Sequence, residues 1–369
     1  MQAPIRLLRV ARMGTAPGLL AATAVSTAVF IATPISLSSI ADRFGVAPGT
    51  AGVFSAAQLG LFVIASWAAG RFLTPGRGVF RLALIMLAAA NLASVATDVF
   101  LAFVVIRALS GLSLGVLTWL AWSQVFGDEQ RQGDIAVVGP LAGVVVSPIF
   151  GLLLHAGGDR AVFAALAAAA LVPLAFTPEF AVVAAEERGR RTRAVPQAMV
   201  LIAALTLLTL GGSAVFVFGG VILIDKLDMA PATVSFVYSA NALASIPSAR
   251  WRGPRPLAGV WLVLTSMCAV ALGLIGAAWM AWPVLTVWGF AFWAGVPGVY
   301  TLLADRSAHP AERAGDAQAA MAAGRAVGPL LGGLLVSVWS FGGLGLVGGA
   351  LMATAGLSCV AVERHRPKK

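Results

Sequence analysis

Residues 40–50 read IADRFGVAPGT, and residues 223–233 read LIDKLDMAPAT. Each stretch carries an acid, a base, a short gap and then Ala-Pro-x-Thr in the same register, 183 positions apart (40 to 223). The likeness runs on into VFSAAQLG from Val53 and VYSANALA from Val237, an alignment that equates Phe54 with Tyr238. A second echo pairs RQGD at 131–134 with RAGD at 313–316, an offset of 182 (131 to 313). Two separate motifs with nearly equal offsets point to a duplicated unit about half the chain long.

Composition says what solvent the unit faces. The 369 residues are 59% hydrophobic and 11% charged, against about 25% charged in a soluble domain, and the mean hydropathy is +0.92. A net charge of +10 and a pI near 11.1 would suit a nucleic-acid partner only if a polar surface carried the bases; so apolar a chain has little such surface. Cys268 and Cys359 sit in apolar stretches and give neither a disulfide framework nor a zinc site. His155, His309 and His365 fall in different segments. His-Glu-x-x-His, Gly-x-Ser-x-Gly and a phosphate-binding loop are all missing, so neither an enzyme, a bound cofactor nor ATP-driven pumping is expected.

About 20 apolar residues cross a bilayer as a helix, because every backbone amide must be bonded within the segment. Such stretches fall at 16–40, 50–70, 79–97, 99–126, 135–157, 160–178, 198–224, 231–249, 256–278, 280–303, 315–338 and 341–362. The first is too long for the apolar core of a signal peptide, despite Arg6, Arg9 and Arg12 before it, and is read as a retained helix. With both termini placed in the cytoplasm, all but five of the 25 lysines and arginines fall on that side, as the positive-inside rule requires. The exceptions are Arg43, Arg160 and Lys226 in outer loops and Arg107 and Arg325 within spans. The polar run EERGRRTRAVPQ at 186–197 is a linker between halves. The expected fold is therefore all-α, with twelve transmembrane helices in two pseudo-symmetric six-helix bundles: residues 1–178, a cytoplasmic linker at 179–197, and residues 198–369. The two quoted stretches become the outer turns after the first and seventh helices.

Two parallel repeats of six spans, a basic central loop and both ends inside resemble the major facilitator superfamily over nearly the whole chain, and several motifs bear the resemblance. RALSGLSLG in the fourth span sets Arg107, Gly111 and Gly115 four residues apart, similar to the family's arginine followed by glycines. The resemblance implies that Arg107 lines a central cavity and handles a proton or substrate charge; snorkelling toward the outer interface is the other reading of so costly a residue. GRAVGPLLGG in the eleventh span holds Gly324, Arg325, Gly328, Pro329, Gly332 and Gly333. It is similar to the Gly-Pro-x-x-Gly-Gly element that efflux members carry in helix five. The fifth span itself keeps Gly143, Pro148 and Gly151 but has Ser147 and Leu152 where glycines are expected. Close helix packing also accounts for these glycines. The loop after the second span, GRFLTPGRGVFR, matches the family at Gly70, Gly76 and Arg77, while Thr74 stands where the aspartate of an inner charge latch belongs.

By the resemblance, the substrate sits near the midplane between helices one, four, seven and ten. Polar or aromatic side chains there are Ser26, Thr33, Trp119, Ser123, Thr206, Ser213, Phe216, Trp288, Trp293 and Tyr300, with Gln58, Tyr238 and Asn241 on helices two and eight. Each could instead be a packing contact. Apart from Asp316 at the edge of the eleventh, no Asp or Glu falls inside a span, so a proton is a candidate coupling ion without an evident buried carrier. The leading expectation is a monomeric exporter of a small organic molecule in the inner membrane, contacting lipid and no nucleic acid. The alternatives are a carrier or exchanger of an organic anion paired with Arg107 and Arg325, facilitated uniport, and a membrane sensor or scaffold.

Overall fold

The computed structural model describes residues 15–125, 129–180, 195–251, 255–307 and 310–365. The bases at 6, 9 and 12, most of the 179–197 linker, Arg252 and the tail bases at 366, 368 and 369 lie outside these residues.

Eleven α-helical elements follow one another: α1 (Pro17–Phe44), α2 (Pro48–Phe72), α3 (Arg77–Ala96), α4 (Phe100–Val125), α5 (Glu129–Leu171), α6 (Pro196–Val221), α7 (Pro231–Ala249), α8 (Ala258–Leu274), α9 (Ala281–Asp305), α10 (Pro310–Val338) and α11 (Phe341–Arg364). α5 is two helices in one, broken at Gly157 and Gly158; Gly158 has φ 65°, where a side chain would be strained. Among the described residues nine segments are long and apolar enough to cross a membrane. One of them holds both arms of α5. With the arms taken separately, and α7 and α8 added, the twelve expected crossings are present. α8 is shorter than the span expected at 256–278, and α10 begins five residues before the expected 315. Outward faces carry Ile64, Leu82, Leu101, Leu152, Leu243, Met267 and Leu357 in the open, the arrangement of helices whose solvent is lipid.

Proline at the first position starts α1, α2, α6 and α7, where its missing N–H costs nothing. α1 stops at Gly45, whose left-handed backbone lets its N–H bond the Asp42 carbonyl while the Val46 N–H bonds that of Ala41. The matching stop after α6 uses Asp228, also at positive φ. It follows a π-helical turn, Ile222–Lys226, and the Met229 N–H reaches back to Leu223. Pro48 and Pro231 then open α2 and α7 at the same offset of 183.

In the first half α2 packs on α4, α1 on α5, and α3 on both α4 and α5; in the second, α6 packs on α10 and α11, α8 on α9 and α11, and α7 on α9. The halves meet where α2 crosses α10, α5 crosses α7 and α1 crosses α6. Packing also corrects the alignment of the repeats. A side chain at Gly111 of α4 would strike the Gln58 carbonyl, and one at Gly289 of α9 the Asn241 carbonyl. Gln58 thus corresponds to Asn241, the 183 offset holds along both helices, and Phe54 corresponds to Val237. The equation of Phe54 with Tyr238 came from similar letters one register off.

The three bases expected in outer loops each have a partner. Arg43 pairs with Asp159 at 2.7 Å and donates to the carbonyls of Ser94, Val95 and Thr97 at the end of α3. Lys226, its repeat equivalent, donates to the Gly273 carbonyl at the end of α8, 3.1 Å away. Arg160 pairs with Asp98.

Candidate functional site between the halves

The halves are joined at the end that carries the 45 and 228 turns. Ser38 of α1 donates to Asp225 at 2.5 Å, and Ser239 of α7 donates to the Val144 carbonyl of α5 at 2.6 Å. Helix backbones touch there because side chains are absent: Gly49 lies on Gly333, Gly220 on the Pro34 carbonyl, and Gly151 on Ser235 and Ala232. At the opposite end Arg77 pairs with Glu179, the first residue of the linker, at 2.6 Å, Arg313 pairs with Asp316 at 2.5 Å, and Arg306 donates to Gln197 and to the His365 carbonyl.

Below the seal lies a cavity of about 210 Å³. α1 and α5 line one side with Thr27, Ile31, Pro34, Gly139, Pro140, Gly143 and Ser147; α6, α7 and α9 line the other with Phe216, Tyr238, Asn241, Ala242, Ser245 and Trp293. Its aromatic wall is braced. The Tyr238 hydroxyl donates to the Phe216 carbonyl at 3.1 Å, the two rings meet edge to face at 5.2 Å, and Trp288 backs Phe216 at 5.8 Å. Asn241 spends its amide N–H on the Leu285 carbonyl at 2.7 Å, which leaves its oxygen to accept. The walls are mostly apolar with a few polar groups, the usual character of a small-molecule pocket.

Of the residues singled out in the sequence, Phe216, Tyr238, Asn241, Trp293 and Gly143 line this cavity. Others pack nearby. Ser123 and Thr206 bond carbonyls of their own helices, Leu120 and Ile202. Thr33 bonds Val29, Ser26 is buried with its hydroxyl unpaired among the described residues, and Trp119 packs beside Gly70. Thr27, Ile31 and Pro34 were missed, although their spacing puts them on one face of α1. So were Gly139, Pro140 and Ser147 of α5 as lining residues, because the resemblance puts helices one, four, seven and ten around the substrate.

The fold has solved counterparts. A bacterial homolog of the human lysosomal transporter Spinster, in an inward-facing and occupied conformation, is 15% identical with a TM-score of 0.71, over 95% of this chain and 98% of that one. The nucleoside transporter NupG is 14% identical with a TM-score of 0.72, over 95% and 99%. A D-xylose–proton symporter is 14% identical with a TM-score of 0.68, over 93% and 96%. This is the major facilitator fold. No family model matches the sequence, and no curated protein matches it.

Within the major facilitator fold, the motif residues find distinct places. Arg107 is buried inside the first half and is not among the residues that line the cavity described above; it borders a smaller void with Thr33, Phe54 and Phe163. Its Nε and Nη2 donate to Gln58 Oε1 at 3.0 and 2.8 Å and its Nη1 to Asn91 Oδ1 at 2.8 Å, while Phe163 lies under the guanidinium at 4.8 Å. Gly111 and Gly115 of the same helix press on α2 at Gln58 and Phe62. Gly324, Gly328 and Gly332 of α10 lie on α6 within the second half, whereas Gly333 crosses to Gly49 and Pro329 to Gly52. Pro148 stands inside α5 between Gly143 and Gly151, which pack against Ala242 and Ser235 of α7. At the start of α3, Arg77 pairs with Glu179 at the beginning of the linker, so this contact does not latch the halves together.

Arg325 lies deep among protein atoms and yet is open to solvent. Ser213 Oγ donates to its backbone carbonyl at 3.0 Å. Tyr300, whose hydroxyl contacts Met321 Sδ at 3.4 Å, is near enough to interact with it electrostatically.

Proposed function

We propose that this chain is a secondary transporter that moves a small organic solute across the inner membrane by alternating access, in the direction of export. One observation carries the reading: a 210 Å³ cavity lies between the halves, sealed by interdigitated glycines at one end, where rocking of the bundles would expose it to either side in turn. Residues 1–178 and 198–369 are the rocking units, 179–197 the cytoplasmic linker, and the sealed end faces outward. The Gly324–Gly333 element, similar to that of efflux members, supports export. The protein acts as a monomer, without enzymatic activity, in contact with lipid; protons are the candidate coupling ion.

The test is reconstitution of the purified chain in liposomes with a panel of labelled amphiphiles, measuring uptake and counterflow at two pH values. Saturable movement of at least one solute, accelerated by unlabelled solute on the far side, is expected. Binding without any counterflow would instead favour a sensor or scaffold.

A further inference from the structure

Arg325 faces the cleft. At 100° per residue, Val327, Leu330, Leu334 and Val338 form one exposed apolar stripe on α10, and Arg325 projects from the opposite side of the helix. On that side Pro329 meets Gly52 of α2 in the other half. One turn farther from the seal, the halves have parted enough to leave Arg325 open to solvent. It lies about 18 Å along the helix from Arg313, where the apolar segment begins, and about 20 Å from Val338 at its other end. A side chain in the middle of a span cannot snorkel to either interface.

Its guanidinium has no hydrogen-bond or ion-pair partner among the described residues, and the carboxylate nearest to it along α10, Asp316, is nine residues away and pairs with Arg313. Arg107 differs: Gln58, Asn91 and Ser94 occupy its donors. Facing a water-filled cleft, the five N–H donors of Arg325 are held by none of the described residues and are available to the oxygens of a ligand. On α9, Tyr300, within electrostatic reach of Arg325, is seven residues from Trp293 of the aromatic wall, two turns along the same face or about 10 Å.

We propose that Arg325 is the anchor for an anionic head group, and that the solute is an amphipathic organic anion whose apolar body fills the wall of Phe216, Tyr238 and Trp293. The proposal rests on the transporter reading, but binding tests it separately from movement. Carboxylate forms two parallel bonds with guanidinium; a cation would be repelled from the same place.

The probes are phenylhexanoate, its amide and phenylhexylammonium, with binding to detergent-purified protein measured by calorimetry. The wild type is expected to bind the carboxylate, the amide more weakly, and the ammonium not at all. R325Q should lose roughly ten- to hundredfold in affinity for the carboxylate and less than about twofold for the amide, with R325K in between; an unchanged melting midpoint of the ligand-free variants shows that folding is intact. Equal carboxylate affinity in R325Q and wild type, or binding of the ammonium as tight as that of the carboxylate, overturns the proposal. Carboxylate binding that depends on Arg325 without any counterflow in liposomes upholds the anion site and defeats the transporter reading instead.

Discussion

Asp228 holds the same left-handed backbone as Gly45, with φ of 52° against 61°. The two residues end the first helix of each repeat, and their shared geometry is the reason that IADRFGVAPGT is echoed. An added side chain at Gly45 meets nothing within 4 Å, so its cost is purely conformational, about 1 kcal/mol. Gly45→Ala should lower thermal stability by that amount and Gly45→Asn by less, while Asp228→Gly should raise it by a few tenths to about 1 kcal/mol. Melting midpoints in detergent check all three.

Ser38 and Asp225 bridge the halves at the sealed end. A hydrogen bond to a carboxylate contributes about 1.5–3 kcal/mol, so Ser38→Ala should shift the population toward the state open at that end. Spin labels at Val46 and Leu227 report the distance between the halves there; the longer-distance fraction should grow severalfold in Ser38→Ala, and an unchanged distribution would assign the seal to the glycine contacts alone.

Gly49 and Gly115 separate gating from folding. A side chain at Gly49 would collide with Ser337 and the Gly333 carbonyl across the halves, and one at Gly115 with α2 of its own half. Gly49→Val is expected to hold the sealed end apart and slow counterflow at least tenfold, with a small loss of stability. Gly115→Val should lower the melting midpoint sharply, since overpacking of a bundle costs about 1–3 kcal/mol. Counterflow and melting measured on both variants test the contrast.

Arg107 and Gln58 form a pair within one bundle. Arg107→Leu strands the Gln58 and Asn91 oxygens and should destabilise the fold by about 3 kcal/mol. The double variant with Gln58→Leu should recover at least about 1 kcal/mol of that. Additive losses in a denaturant series would contradict the pairing.

Arg107, Asn241 and Arg325 show where sequence and structure part. Lipid as the solvent decides a great deal locally: each backbone amide must be bonded within its own segment, so apolar runs, prolines at helix starts and the 45/228 echo are enough to imply twelve helices and two repeats. The same constraint leaves facing directions undetermined, because in an apolar medium a helix needs no polar side to mark its outer surface. Whether Arg107 faced the cleft or its own bundle depended on amides of α2 and α3, 49 and 16 residues away in the chain. The correspondence of Gln58 with Asn241 likewise waited on which carbonyl each glycine touched. Tertiary packing alone set one arginine among acceptors and left the other open in the cleft, since only the meeting of distant helices decides which buried donors find partners.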